Sequence, residues 1–207
     1  MKKTKKILAM ACAMALSAAI AVGGTLAYLT SQDSVTNTFT VGKVAITLDE
    51  TDTDGSKTNT TTEGRDKANA YKLYPGKSYT KDPLITVAKN GDIYKHDMDS
   101  ENCWLFVKVN NGIARIEDQT NTIANQMKTN GWTLVEGTTD VYALSTTKQA
   151  GETAKVFESF KIAGTVTNEQ LAEYASAKIT VEAYAVQAEG FTTAQAAWTA
   201  TFGAPTT

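Results

Sequence analysis

The segment Asn102–Asn110, NCWLFVKVN, constrains the fold more than any other part of the chain. Cys103, Leu105, Val107 and Val109 share one parity, and Trp104 and Phe106 share the other. In an extended strand, alternate side chains point to opposite faces. A strand that is apolar on both faces needs cover on both. The segment therefore predicts an inner strand of a layered β-structure, with its second face covered at the Trp104–Phe106 end. The composition, 42% hydrophobic and 20% charged, supports a packed core and argues against a disordered chain.

The same period-2 reading extends along the chain. Thr38–Leu48 alternates with one slip at Gly42-Lys43, which a β-bulge or strand break would absorb. Residues 49–70 are rich in Thr, Asp, Asn and Gly and predict a long surface loop. Tyr74-Pro75-Gly76-Lys77 predicts a turn, because Pro presets φ and Gly accepts a positive one. Ser78–Ala88 predicts extended chain, with Pro83 marking an edge or bulge. Asn90-Gly91 is a turn signal, and an acidic loop follows to Glu101. Trp132–Val135, Val141–Ser145, Ala154–Ile162 and Lys178–Gln187 read as further strands. Apolar spacing predicts helices over Ile116–Thr129, over Glu169–Ala175 with Asn168 as cap, and near Phe191–Phe202 with Thr192 or Thr193 as cap. The expected class is mainly β: a β-sandwich with a few inserted short helices.

The N-terminus reads as an export signal. Lys2, Lys3, Lys5 and Lys6 precede the apolar run Ile7–Val22, and Thr25-Leu26-Ala27 has the small-x-small form of a cleavage site. The run is shorter than the roughly 20 residues of a membrane span. Cleavage is expected between Ala27 and Tyr28, so membrane contact is expected only through the uncleaved leader. The expected organisation is leader 1–27, a mobile segment 28–37 and one domain 38–207. Removing the four leader lysines from 20 basic residues leaves 16 against 22 acids, a net charge of about −6. That balance carries no basic stripe, and nucleic acid is not expected as a partner. Of the two cysteines, Cys12 lies in the leader. Cys103 then has no partner for an intramolecular disulfide and reads as a small buried apolar residue.

Gly23-Gly24-Thr25-Leu26-Ala27-Tyr28-Leu29-Thr30, followed by Val35-Thr36-Asn37-Thr38-Phe39-Thr40-Val41-Gly42 and Ala45-Ile46-Thr47-Leu48, resembles the TasA/camelysin family of Gram-positive secreted proteins. Leu73-Tyr74-Pro75-Gly76 and Ala185–Phe191 look like segments of its gut-anaerobe members. The resemblance is specific over about the first 50 residues and patchy beyond. It implies processing by a SipW-type signal peptidase and a jelly-roll β-sandwich. It also implies export to the cell surface or biofilm matrix, where members polymerise into fibres by donating an N-terminal strand to the next subunit. Tyr28, Leu29 and Val35 are the candidate donor residues, with a second copy of the chain as partner. Addition of such a strand to an open sheet edge is a general mode of recognition.

A non-polymerising surface module for carbohydrate or host binding stays open as an alternative. The family also contains a protein classed as a zinc metalloendopeptidase. The residues here do not support that chemistry: no His-Glu-x-x-His motif exists, and His96 is the single histidine. No enzyme activity and no cofactor are expected. The weak metal candidates are Asp92, His96, Asp97 and Asp99 in the acidic loop. Glu50-x-Asp52-x-Asp54-Gly55 partly mimics a calcium loop but has Thr61 where a bidentate Glu belongs. The leader reading makes one direct prediction: the exported protein begins at Tyr28. Intact-mass measurement of the protein from culture medium checks it, and a mass that retains the Ile7–Val22 run contradicts it.

Overall fold

The computed structural model describes residues 43–56, 62 and 64–204. The leader, Ala27, the donor candidates Tyr28, Leu29 and Val35, and Thr61 lie outside the described residues.

The fold is mainly β. In chain order the strands are β1 Ile46–Thr51, β2 Arg65–Asp66, β3 Ser78–Thr80, β4 Leu84–Val87 and β5 Cys103–Asn111. They continue as β6 Trp132–Leu134, β7 Val141–Leu144, β8 Thr153–Lys155, β9 Ser159–Lys161 and β10 Ile179–Gln187. The helices described are α1 Ile123–Thr129, α2 Asn168–Glu173 and α3 Ala194–Phe202. One four-stranded sheet has the order β2-β1-β4-β8, a second has β10-β5-β7-β6, and β3 pairs with β9. The pairings are antiparallel.

β5 does what its two-faced pattern requires. Leu105 and Val107 are fully buried in a core shared with Ile85 and Val87 of β4, Ala154 of β8 and Phe160 of β9. On its other face, Phe106 is fully buried in a smaller cluster under α3, with Ala143, Val186 and Ala197. Cys103 is buried, and its apolar surroundings push the thiol up to about 11. The thiol is thus an inert packing group at neutral pH. Trp132 is also core, and its Nε1 donates to the Lys155 carbonyl at 2.8 Å.

Several boundaries differ from the sequence expectation, each for a local reason. Residues 49–70 are not one loop: Asp49–Thr51 continue β1, and β2 pairs back onto it with Glu50 opposite Asp66. The extended stretches Ser78–Ala88 and Ala154–Ile162 each divide into two strands that serve different sheets. Pro83, which has no N–H to donate, sits at the first break, and its carbonyl accepts from Val156 N–H at 2.9 Å. The helix expected from Ile116 begins only at Ile123. Glu117 instead forms a bridge with Ile162, and Asp118 closes a turn by accepting from Thr120 N–H and Oγ1. The cap of α2 is Thr167 rather than Asn168, with a reciprocal capping box to Gln170. The turn at Tyr74–Lys77 forms as expected, with Gly76 at φ 73° and Lys77 N–H donating to the Tyr74 carbonyl at 3.2 Å.

Glu117 is one of four buried carboxylates among the described residues, with Asp49, Glu50 and Asp66. Its Oε1 accepts from Ile123 N–H at 2.7 Å, and its Oε2 accepts from Asn111 Nδ2 at 2.9 Å. Burial raises its pKa above the usual carboxylate value in spite of these bonds. The folded state then binds the Glu117 proton more readily than the unfolded chain does. The group's contribution to stability rises as pH falls through its folded pKa towards 4.5. The difference in thermal midpoint between wild type and Glu117→Gln is therefore expected to change between pH 7 and pH 4.5, in favour of wild type at the lower pH. A pH-independent difference contradicts this. At the core, Leu105→Ala is expected to cost about 2–5 kcal/mol, read from the denaturant midpoint.

Candidate functional site

Strand edges are the first place to look for a β-protein's contacts, because an edge presents unpaired N–H and C=O groups. Four edges occur in the two larger sheets. β2 has 2 residues, and β6 and β8 have 3 each. Ion pairs Lys148–Glu152 and Lys155–Glu158 flank β8. The fourth edge is different: β10 has 9 residues, ITVEAYAVQ, with Glu182 its single charge and no proline. At roughly 3.3 Å per residue it offers about 30 Å of edge.

The ladder shows which groups that edge exposes. Gly112 N–H donates to the Lys178 carbonyl at 2.9 Å, and Ala188 N–H donates to the Asn102 carbonyl at 2.7 Å. In an antiparallel pair, hydrogen-bonded positions recur every second residue. The even-numbered residues of β10 thus bond to β5. The backbone groups of Ile179, Val181, Ala183 and Ala185 point away from it. Their side chains are half-buried against the main core.

β1 supplies a second open stretch. Ala88 N–H donates to the Ala45 carbonyl at 2.9 Å, which assigns the odd-numbered residues of β1 to the β4 side. Ile46 and Leu48 aim their backbone groups the other way, where β2 covers only Glu50 and Thr51. Among the described residues the two stretches carry no further strand; they approach each other closely over part of their length and border one trough of about 1270 Å³. Ile46, Leu48, Ile179, Val181 and Ala183 line it. Tyr71 and Leu73 form one wall, and Leu171 and Tyr174, at and just after α2, form another.

A network of buried charges holds the polar end of the trough. The Arg65 guanidinium pairs with Asp49 at 2.7 Å and reaches Asp82 at 3.3 Å. Tyr94 Oη donates to Asp49 Oδ2 at 2.7 Å. Lys81 Nζ pairs with Glu50 Oε2 at 2.6 Å, and Asn69 Nδ2 donates to Glu50 Oε1 at 2.9 Å. These contacts pin β2 and residues 69–82 around the end of β1. None of Arg65, Lys81 or Asp82 stands out in the sequence, since each lies in a polar stretch with no motif. Only the alternation of Glu50 and Asp66 with their neighbours across the hairpin marks them, and that register is visible only in three dimensions.

The metal candidates do not converge. Asp92 Oδ2 meets His96 Nδ1 at 2.7 Å, and Asp92 Oδ1 accepts from the backbone N–H groups of Tyr94 and His96. Burial opposes the Asp92 charge, but the bonds from His96 and Lys89 outweigh it and hold the carboxyl below its usual range. Asp99 instead accepts from Asn90 N–H, and Asp97 is exposed. The calcium-like run is likewise divided: Glu50 pairs with Lys81, Asp52 accepts from Gly55 N–H, and Asp54 accepts from Ser56 and Ala70 N–H. Among the described residues no group of three His, Cys, Asp or Glu is placed to hold a metal ion. His96 and Asp92 do a structural job instead. Their loop docks on β1 through His96 Nε2 and Thr47 Oγ1 at 3.3 Å.

The aromatic residues are also placed. Trp104 and Trp198 are half-buried against the smaller cluster, where Trp198 lies 5.1 Å from Phe106 and 4.3 Å from Phe202, centroid to centroid. Comparison with protein-family models, with curated proteins and with solved structures returns no match for the chain.

The ion pairs that shape the trough make a prediction. Lys81→Ala leaves Glu50 buried without its counter-charge, and such a loss is expected to destabilise by about 3 kcal/mol. Urea unfolding of the two proteins checks this, and equal midpoints contradict it.

Proposed function

We propose that this chain is a secreted, extracellular structural protein that assembles head to tail by donating its N-terminal strand. The observation that carries the reading is the trough: two open strand edges bordering one apolar channel into the core. The proposed occupant is the segment Tyr28–Val35 of a second copy. It has 8 residues and no proline or glycine, and extended it spans about 26 Å, within the length of the β10 edge. Leu29 and Val35 share one parity, so a strand there can turn both towards an apolar floor.

The described residues that lead into β1 leave the trough to another segment. Lys43–Ala45 are held extended against the 88–101 segment. Glu101 N–H donates to the Lys43 carbonyl, and Ala45 N–H donates to Ser100 Oγ. Lys43–Ala45 therefore lie against the 88–101 segment and do not line the trough. Strand donation to a second copy is heterologous and does not close on itself, so fibres follow. The N-terminal resemblance supports export, SipW-type processing and a jelly-roll connectivity. Several antiparallel sheets around a shared core accord with that fold. Removal of the leader at Ala27–Tyr28 acts as the assembly switch, because it frees the donor strand from the membrane.

The test uses purified protein beginning at Tyr28, incubated at high concentration beside a version beginning at Thr38. Negative-stain electron microscopy is expected to show fibres from the first and none from the second. Single particles from both overturn the proposal, as do fibres that form equally well without Tyr28–Asn37.

A further inference from the structure

α2 is an unusual element of this fold. It contains no buried residue, yet it lies at the mouth of the trough. Leu171, Tyr174 and Ala177 are half-buried against the main core, spaced at three-residue intervals on one side. Ala172 and Ala175 also line the trough and are exposed. Among the described residues, the hydrogen bonds of 165–177 stay within 163–177. Leu171 N–H donates to the Thr167 carbonyl, Tyr174 N–H to Leu171, and Ala177 N–H to Tyr174. The Thr167–Gln170 capping box is local too. No salt bridge leaves the segment among the described residues.

The capping box satisfies the helix's own end groups, so no cap ties it to the sheets, although a helix this short stays folded only while it is packed against them. What fixes its position is apolar contact alone, and such contact is non-directional. The segment can thus move by a small amount against the trough without breaking a hydrogen bond to the rest of the domain.

We infer that α2 is part of the strand-binding surface, a clasp that settles over a second copy's N-terminal strand and completes the burial of Leu171 and Tyr174. The inference rests on the strand-donation reading. The half-exposed apolar side chains of the clasp and of β10 then bury together against the donor. The exposed alanines keep the mouth open enough for the donor to pass.

The test uses the mature chain from Tyr28. Wild type is compared with Leu171→Gln/Tyr174→Gln and, separately, with Ala172→Lys. The second variant changes an exposed helical position and leaves the core contacts untouched. Assembly is read as the protein concentration above which fibres sediment. Folding is read by circular dichroism and thermal midpoint, and amide exchange is followed over residues 168–177. The expected result is a critical concentration raised tenfold or more in both variants, with Ala172→Lys melting like wild type. Exchange across 168–177 is expected to slow when wild type assembles. Wild-type fibres with unchanged assembly of Ala172→Lys and unchanged exchange overturn the clasp alone. No fibres from wild type overturn strand donation, and the clasp with it.

Discussion

The ladder between β5 and β10 is the interaction on which the rest of the structure depends. It runs from Cys103 opposite Gln187 to Asn111 opposite Ile179 without a break. It fixes the register of a strand whose two faces feed two separate clusters. A slip of one residue would exchange Leu105 and Val107 for Phe106 and empty both. The ladder also leaves β10 with one satisfied edge and one open one. The strength of the fold and its point of vulnerability thus lie on the same strand.

The charged network around β1 is a second constraint of a different kind. Burying Asp49 and Glu50 is tolerable only because Arg65, Lys81, Tyr94 and Asn69 reach them. Ion pairs of this sort add little net stability compared with well-packed apolar groups. What they contribute is position. Arg65 and Lys81 come from opposite sides of the strand end, and together they hold β2 and the 69–82 stretch as the polar end wall of the trough. An apolar replacement could match the energy, but it would extend the exposed apolar surface of an already open channel.

How much of this was legible in the sequence differed by signal. β5 and β10 were, nearly to the residue: β5 because a short run apolar on both faces fits an inner strand, and β10 because its alternation over nine positions has few other readings. The turn at Tyr74–Lys77 was also legible, since Pro75 and Gly76 each demand a particular backbone. The hairpin of β1 with β2 was not. Its strand residues are Asp, Glu, Thr and Arg, and nothing local distinguishes buried acids from solvated ones when the compensating Lys81 lies 31 positions away. The divisions at Pro83 and at Val156–Glu158 were missed because each half keeps extended geometry while changing sheets. Of Asp92, His96, Asp97 and Asp99, the fold pairs Asp92 with His96 and gathers no group of three among the described residues. The loop turns on Asp92, so Asp97 and Asp99 face elsewhere. The trough left no sequence signal, because it is built from the unpaired sides of two strands far apart in the chain.

An open edge of this length needs an explanation in energetic terms. Three of the four edges in the larger sheets are two or three residues long, and charged pairs flank one of them. That is the ordinary defence against unwanted strand addition. The fourth edge has nine residues and borders half-buried apolar side chains that a single further strand would cover. A strand supplied from within the same chain would have closed the domain at a low entropic cost, since loop closure grows only slowly with length. Among the described residues no strand is paired to that edge, and the strand donation proposed above would supply one. In that proposal a second copy suits the role better than an unrelated peptide, because the proposed export would bring many copies to the same place. The proposed donor, Tyr28–Val35, is the segment that the proposed cleavage would place at the start of the chain.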